Sequence, residues 1–198
     1  MYSVFFRAFE PEDAVLIHKW RNDFELMKRS IGMNRCTSYQ ENLKWVTDRM
    51  VHDPYNIYWA ICLNDESKKM IGYISLNDIH YVNSSAMCGG IVLGDEDCRD
   101  GVGWIECHLI LFEYVFETLH LNRYYGSALD SQDVTDAAVD LFFLQREGIA
   151  RQAAFKEGRY HDVIYHSILK DEYFRHKQSG DYQFRSILKR LRELRKRK

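Results

Sequence analysis

The sequence predicts one α/β domain, of the α+β type, in which helices flank a mixed sheet of about six or seven strands. Three observations support this fold class. Short apolar runs typical of strands alternate with longer amphipathic stretches typical of helices. With 198 residues, 46% of them hydrophobic, the chain is long enough to bury a full core. The sequence has no internal repeat or flexible linker, and only Pro11 and Pro54 interrupt it.

The first half of the chain predicts two helices followed by three strands. The second helix begins with a capping-box pair, Ser38 and Glu41, which satisfies backbone N–H groups at a helix start. The third strand contains Gly89 and Gly90, which predict a bulge or a close approach of another backbone. The predicted helices are 12–22 and 38–50, and the predicted strands are 57–63, 70–76 and 86–93.

The second half begins with a long apolar helix, whose inward residues recur at helical spacing from Ile105 to Leu119. A strand and a helix follow, and then a hairpin across the turn KEGRYH leads to a further helix. The predicted helices are 103–120, 133–141 and 170–177, and the predicted strands are 123–129, 149–155 and 162–169.

A glycine-containing loop joins the third strand to the long apolar helix. Residues 96–106 read EDCRDGVGWIE, with Gly101 and Gly103 at the helix start. Backbone N–H groups at a helix N-terminus attract anions, and glycines let an anion come close. The spacing fits neither the dinucleotide fingerprint nor the Walker loop. The loop is therefore either a phosphate-binding loop or a plain turn that starts the helix.

The cysteine pattern favours reduced, buried thiols in a cytosolic protein. The five cysteines are odd in number and form no C-x-x-C pair, so neither a disulfide framework nor a structural zinc site is indicated. The N-terminal MYSVFFRAFEPED lacks the features of a secretion signal, and no stretch has the apolar length of a membrane helix. We expect a cytoplasmic location, no membrane span and no bound metal.

The C-terminal segment is strongly basic. Residues 184–198, FRSILKRLRELRKRK, carry eight Lys or Arg and one Glu, a net charge of +7, which leaves −2 − 7 = −9 on the rest. Its apolar residues fall at helical spacing, so 179–198 is expected to be a basic amphipathic helix or tail after a domain at 1–178. It either docks or is solvated, or it meets nucleic acid or a membrane. We favour docking or solvation, and expect a chain ending near Gly180 to fold as the full chain does.

Four phrases and the order of elements resemble the GCN5-related N-acetyltransferases, the GNAT superfamily. The phrases are IGYISLNDI at 71–79, LGDEDCR at 93–99, FEYVFETLHLNRYY at 112–125 and REGIARQAAFKEGRYHDVIYHSILKDEY at 146–173. They are similar to the branch that contains ribosomal-protein N-terminal, spermidine and nucleotide-linked 4-amino-sugar acetyltransferases. The resemblance implies a GNAT-like domain whose sheet splays at a bulged strand.

The resemblance also implies acetyl-CoA as co-substrate. In this family the pantetheine arm pairs with the bulged strand, and the following loop takes the pyrophosphate. Carried onto this sequence, the strand residues are Gly89, Gly90, Ile91 and Val92, and the loop residues are Arg99, Asp100, Gly101, Val102, Gly103 and Trp104.

The sequence departs from the family pattern at several of these positions. Counting without gaps from Arg99 places Val102 and Trp104 where the family has small loop residues. Further along, Gln132 and Thr135 fall at cofactor-binding positions. Val139 falls where the family has a tyrosine that protonates the leaving thiolate, and valine cannot donate a proton.

The candidate catalytic base is His80 or Asp78, because the family's acceptor amine arrives near the end of the strand that precedes the bulged one. Tyr81 and Tyr160 are candidate acceptor-binding residues or alternative acids. Each of these side chains could also have no functional role: His80 as a surface histidine, Asp78 as a solvated carboxylate, and the two tyrosines as packed aromatic rings.

We expect an N-acetyltransferase whose small-molecule amine acceptor is an amino sugar on a nucleotide carrier. Three alternatives stay open: a polyamine acceptor, which the acidic body suits, a protein N-terminus, and a non-catalytic relative that binds CoA or another ligand. A homodimer is compatible with the sequence, whereas nucleic-acid recognition is disfavoured because the basic tail is short.

Overall fold

A computed structural model describes residues 2–28, 30–32, 35–99, 101–130 and 133–196, without the side chains of 133–136 and 195. The chain divides into two compact units. Unit 1 comprises residues 1–80 and 87–111, and unit 2 comprises 81–86 and 112–198. Whether the chain divides functionally at residue 178 stays a prediction.

The described residues form seven strands and seven α-helices. The strands are β1 (Val4–Arg7), β2 (Ile57–Leu63), β3 (Met70–His80), β4 (Ser85–Leu93), β5 (Arg123–Leu129), β6 (Gln145–Lys156) and β7 (Arg159–Leu169). The helices are α1 (Ala14–Arg21), α2 (Phe24–Met27), α3 (Tyr39–Asp48), α4 (Val102–Glu113), α5 (Asp133–Phe142), α6 (Lys170–Gln178) and α7 (Phe184–Lys196).

In unit 1 the strands follow the order β1, β2, β3, β4. The first two pairings are antiparallel; Val4 lies opposite Leu63, and Tyr58 lies opposite Ser75. Helices α1 and α3 cover one face, where residues such as Ile17 and Val46 are fully buried. This apolar layer packs the two helices against the strands.

Unit 2 contains β5, β7 and β6 in that order, with antiparallel pairing throughout. Its core is aromatic: the Phe112 and Tyr124 rings lie 5.2 Å apart, and the Phe116 and Tyr173 rings stack at 4.8 Å. The hydroxyl of Tyr173 donates to the Glu117 carboxylate, so the ring is held at both ends.

The basic C-terminal helix docks within unit 2. Ile187 on α7 is fully buried. The Tyr182 hydroxyl donates to the Phe142 carbonyl at 3.0 Å, and Arg190 Nη2 donates to the Leu141 carbonyl at 3.0 Å and to the Asp181 carbonyl at 2.6 Å. Docking is therefore the arrangement found for the helix. Whether a chain ending near Gly180 folds as the full chain does stays untested, but that chain would lose these contacts.

Two elements were not predicted, and several boundaries differ. β1 is too short to stand out from its sequence, and α2 is a single turn capped by Asp23. The long apolar helix ends at Glu113 and continues as a π-helical turn, in which the Leu119 N–H donates to the Tyr114 carbonyl. β3 runs four residues further than predicted, to His80.

The five cysteines all lie within the described residues, and no disulfide joins any of them. Cys62 and Cys107 are buried, and burial raises the pKa of both thiols. Cys36 is exposed, so the expectation of buried thiols was wrong at that position.

Removing the docked helix should destabilise the protein. We expect Ile187→Ala to lower the free energy of unfolding by about 2–5 kcal/mol, because it leaves a cavity under α7. A chain ending at Gly180 should lose more. Urea unfolding measures both, and Lys189→Ala, on the exposed side of α7, is the control. An unchanged midpoint for the shortened chain would show that the docking contributes nothing.

Candidate active site

The glycine pair of β4 is the first feature of the site. A Cβ added to Gly89 would lie 1.6 Å from Asn77 Oδ1 and 2.1 Å from Ser75 Oγ, so any other residue there would have to displace both side chains. Gly90 has φ +109°, outside the regular strand range and strained for any other residue. Both glycines are exposed. The pair therefore interrupts the regular strand at an accessible backbone.

The rest of β4 is closely packed. Ile91 and Val92 are half-buried, and a Cβ at Gly72 would lie 2.1 Å from the Val92 carbonyl oxygen. Gly94, just after the strand, lies under the Trp20 ring, which an added Cβ would meet at 2.1 Å. These contacts fix the strand on both sides, so that its accessible part is the glycine pair.

A polar network lies beside Gly89. Ser75 Oγ donates to Asn77 Oδ1 at 2.7 Å. Asn77 Nδ2 donates to Asn56 Oδ1 and to the Tyr58 hydroxyl, both at 2.9 Å. With one bond accepted and two donated, the Asn77 side chain is held in one orientation against Gly89.

Asp53 anchors the far end of this network. Its carboxylate accepts from Asn56 Nδ2 at 2.9 Å and from the backbone N–H groups of Tyr55 and Asn56. The bond from the Asn56 side chain is the main cause that lowers the pKa of Asp53. The network is thus tied to the loop before β2 as well as to β3.

The loop after β4 is held by charged side chains. Lys69 Nζ lies 2.5 Å from Asp95 Oδ2, and this hydrogen bond is the main cause that lowers the pKa of Asp95. Arg99 donates from Nε to the Leu93 carbonyl at 3.1 Å and from Nη2 to the Gly94 carbonyl at 2.8 Å. Arg99 therefore caps the strand end instead of extending toward solvent. Asp100 lies outside the described residues.

The N-terminus of α4 follows directly. Gly101 has φ +91°, and its carbonyl accepts from the Ile105 N–H at 3.1 Å, so it caps the helix. Val102, Gly103 and Trp104 form the first turn, where a helix offers N–H groups and a positive dipole end. Gly103 is buried against Val4 and Leu93 at ordinary contact distance.

Trp104, which falls where the family has a small loop residue, contacts the next turn of its own helix. Its ring is half-buried and lies 4.3 Å from the His108 ring, tilted by 57°. His108 Nδ1 lies 3.1 Å from the Trp104 carbonyl oxygen. Gly101, which precedes the helix and has a positive φ, shapes the loop. Gly103 lies inside the helix.

Asp78 and His80, the candidate bases, are both exposed on the last residues of β3. Asp78 has φ +50°, and its N–H lies 3.3 Å from Asn56 Oδ1. The same strand therefore carries the candidate bases and the Asn77 network.

Tyr81 and Tyr160, the candidate acceptor residues, belong to unit 2. Tyr81 begins the turn after β3 and is 55% exposed. Tyr160 is 64% exposed on β7, with its ring 5.1 Å from the Phe155 ring. Their assignment as acceptor-binding residues stays a prediction.

Of the two remaining candidate cofactor residues, only one is described by the structure. Gln132 lies outside the described residues, and Thr135 lies within α5. Val139 is half-buried in the same helix, and its carbonyl accepts from the Leu144 N–H at 3.0 Å.

Within the described ranges, no group of three or more His, Cys, Asp or Glu side chains is arranged to hold a metal ion. None of the helices in those ranges is both long and apolar enough to cross a membrane.

Sequence reasoning missed Asn56, Tyr58, Ser75 and Asn77. A signal was present, because Tyr73, Ser75 and Asn77 alternate along β3 and so lie on one face. Polar residues on an otherwise apolar strand indicate that this face of the strand no longer packs against the apolar core. The candidate bases were chosen from the neighbouring positions instead.

Comparison with known proteins places this geometry in a family. A protein of Bacillus subtilis strain 168, named provisionally as the ribosomal N-acetyltransferase YdaF, is 30% identical over 104 residues. The match covers 52% of this chain and 56% of that protein, so it spans about half of the curated relative.

Solved structures share the fold. A spermidine N-acetyltransferase of Vibrio cholerae, in complex with CoA and spermine, superposes with a TM-score of 0.77 at 23% identity, covering 87% of this chain and 98% of that one. A GCN5-related N-acetyltransferase of Brucella melitensis gives 0.72 at 22% identity, covering 91% and 81%. The predicted fold class is confirmed.

The acetyltransferase (GNAT) domain family matches residues 3–132 of this chain. That match extends from the first strand through the glycine pair, the loop and α4. It confirms that the chain carries a domain of the predicted enzyme class, the GNAT acetyltransferases, whose co-substrate is acetyl-CoA. The chain belongs to the GNAT family of acetyltransferases.

Proposed function

We propose that this protein transfers the acetyl group of acetyl-CoA to the amino group of a nucleotide-linked amino sugar. The observation that carries the proposal is the glycine pair of β4, with the side chain of Asn77 against Gly89. An irregular strand leaves backbone groups free that a regular ladder would use. Gly89, Gly90, Ile91 and Val92 would offer those groups to the pantetheine amides and the acetyl carbonyl.

The pyrophosphate of CoA would lie at the N-terminus of α4. Gly101 caps this helix, and the first-turn N–H groups of Val102, Gly103 and Trp104 supply donors with the helix dipole behind them. Arg99 adds a positive charge to the same loop while it holds the end of β4. The Trp104 ring packs on His108 of its own helix.

The reaction is an aminolysis of a thioester. The neutral amine attacks the acetyl carbonyl, the C–S bond breaks, and the amine proton leaves while CoA departs as a thiolate. Asp78 or His80 would take that proton through water, since both are exposed at the end of β3. Val139 takes no part in proton transfer.

The acceptor class is supported by the chemistry beside Gly89. The groups there are amides and hydroxyls, from Asn56, Tyr58, Ser75 and Asn77. Such groups exchange hydrogen bonds with sugar hydroxyls. A polyamine is instead attracted by carboxylates, and Asp53, at the far end of the network, is bonded to Asn56.

A polyamine is the second candidate. The exposed carboxylate of Asp78 favours it, as does the negative charge of the chain outside its tail. The structurally similar Vibrio cholerae protein is named as a spermidine acetyltransferase. The Bacillus subtilis relative is named as a ribosomal N-acetyltransferase, so a peptide with a free N-terminus is a third acceptor to compare.

We expect Gly89→Ala to weaken acetyl-CoA binding at least tenfold, about 1.4 kcal/mol, because the new Cβ would collide with Asn77 and Ser75 and displace the strand. Isothermal titration calorimetry measures the Kd. Gly148→Ala on β6 is the matched control, since its Cβ would meet nothing within 4 Å. Equal affinity for the two variants would remove the glycine pair from the cofactor site.

We expect a nucleotide-linked 4-amino sugar to have a kcat/KM at least about a hundredfold above that of spermidine or a peptide with a free N-terminus, because only the sugar matches the amide and hydroxyl groups. Release of free CoA at saturating acetyl-CoA gives the rates. A preference for spermidine would support the second candidate instead.

We expect Asp78→Asn or His80→Ala to lower kcat/KM by about 10²–10⁴-fold if that residue is the base. A base acts only when deprotonated, so the wild-type rate should fall as the pH decreases, and the variant should lose this dependence. His52→Ala, another exposed histidine, is the control. Normal rates and pH profiles in both variants would show that neither residue is the base.

A further inference from the structure

Two arginines lie beside the Trp45 ring in unit 1. The guanidinium carbon of Arg49 is 4.0 Å from the centre of that ring and 4.6 Å from the centre of the Tyr58 ring. The guanidinium carbon of Arg21 is 4.7 Å from the Trp45 ring. Arg21 ends α1 and Arg49 follows α3, and both side chains are half-buried.

These arginines differ from others in the unit because neither has a carboxylate partner among the described residues. Arg7 pairs with Asp13, and Arg35 pairs with Glu41. Arg21 makes no hydrogen bond within the described part of the chain, and its Nη1 is buried without an acceptor. Arg49 donates only to the Trp45 carbonyl, at 3.0 Å, and its Nε is likewise buried without an acceptor.

Such an arrangement is costly in the free protein. A buried guanidinium N–H group without an acceptor loses hydration and gains no hydrogen bond in return. Burial is the main cause that lowers the pKa of Arg21, and the nearby charges of Arg49 and Arg35 lower it further, while Tyr73 and Glu41 act in the opposite sense. Positive charge therefore accumulates here, in a chain whose remainder is acidic outside the tail.

Ordinary structural roles explain only part of this arrangement. Stacking on Trp45 and the position at helix C-termini both favour a cation. Apart from the Trp45 carbonyl, which accepts from Arg49, neither supplies acceptors for the in-plane N–H groups, and these groups match the oxygens of a phosphate.

Arg49 is connected to the proposed site through the Tyr58 ring. Tyr58, over whose ring Arg49 lies, accepts a hydrogen bond from Asn77, and Asn77 contacts Gly89. A ligand whose amino group reached Gly90 would extend its other end along this chain of side chains toward Arg49.

We propose that Arg21 and Arg49, beside Trp45, form a phosphate-binding subsite for the nucleotide part of the acceptor. The inference rests on the proposed function and deepens it, because it makes the acceptor an anion. Phosphate oxygens would accept from the two guanidinium groups. A cationic polyamine would be repelled there.

The test is a calorimetric titration of the full-length protein with UDP in the presence of saturating CoA, which occupies the pyrophosphate loop. We expect UDP to bind, uridine not to bind, and inorganic pyrophosphate to bind more weakly than UDP. Arg21→Met and Arg49→Met should each raise the Kd of UDP by about tenfold or more. Lys19→Met, an exposed neighbour on α1, should leave it unchanged.

Arg21→Lys and Arg49→Lys guard against loss of folding, since they keep the charge and the alkyl stem. They should fold as the wild type does and still weaken UDP binding, because a lysine lacks the planar fork. Absence of UDP binding, or equal affinity in wild type and arginine variants, would overturn the subsite. UDP binding through the arginines together with failure to bind acetyl-CoA would instead overturn the proposed function and leave the anion site standing.

Discussion

The side chains of Asn77 and Ser75 occupy the space in which residue 89 would otherwise have a Cβ, and the site depends on this contact. Because residue 89 has no side chain, β3 and β4 can approach each other closely. The polar side chains of β3 then lie against the accessible backbone of β4. This contact also requires glycine at 89, beside a second glycine whose φ of +109° no other residue adopts without strain. The irregular backbone of β4 is thus matched to a fixed side chain on β3, which the Asn56 and Tyr58 hydrogen bonds hold in place.

The alternation of side chains along β3 links this contact to the core of unit 1. Tyr73, on the same face, stacks with Trp20 and lies edge-on to Trp45, and burial raises its pKa to about 12. Two and four residues further on, the face becomes polar at Ser75 and Asn77. The boundary between the apolar layer and the polar network falls near Trp45 and Tyr58. That boundary is where Arg49 lies, covered by rings but beyond the reach of any described carboxylate.

Local patterns in the sequence predicted most elements of the fold because their causes are local. β2 and β5 were predicted at their observed bounds, and the cap at Ser38 places the start of α3, where its side chain accepts from the Glu41 N–H. The docking of α7 was left open because Ile187 and Arg190 meet partners in α5 that no local pattern reveals. The polar network escaped notice for the same reason, since Asn56 and Asn77 are distant in sequence and come together only through strand pairing. The resemblance identified the glycine pair, but not the side chain that occupies the space beside Gly89.

The absence of a tyrosine at position 139 fits the chemistry of the proposed reaction. A thiol has a pKa of about 8.5, so a thiolate can leave near neutral pH without being protonated in the transition state. A primary amine resembles lysine, with a pKa of about 10.4, and is almost fully protonated at pH 7. The larger obstacle therefore lies on the acceptor side, where the amine must lose a proton and be oriented before it attacks. In the proposed function Asp78, His80 and the network around Asn77 would serve the acceptor, whereas a tyrosine at position 139 would supply only the more dispensable acid.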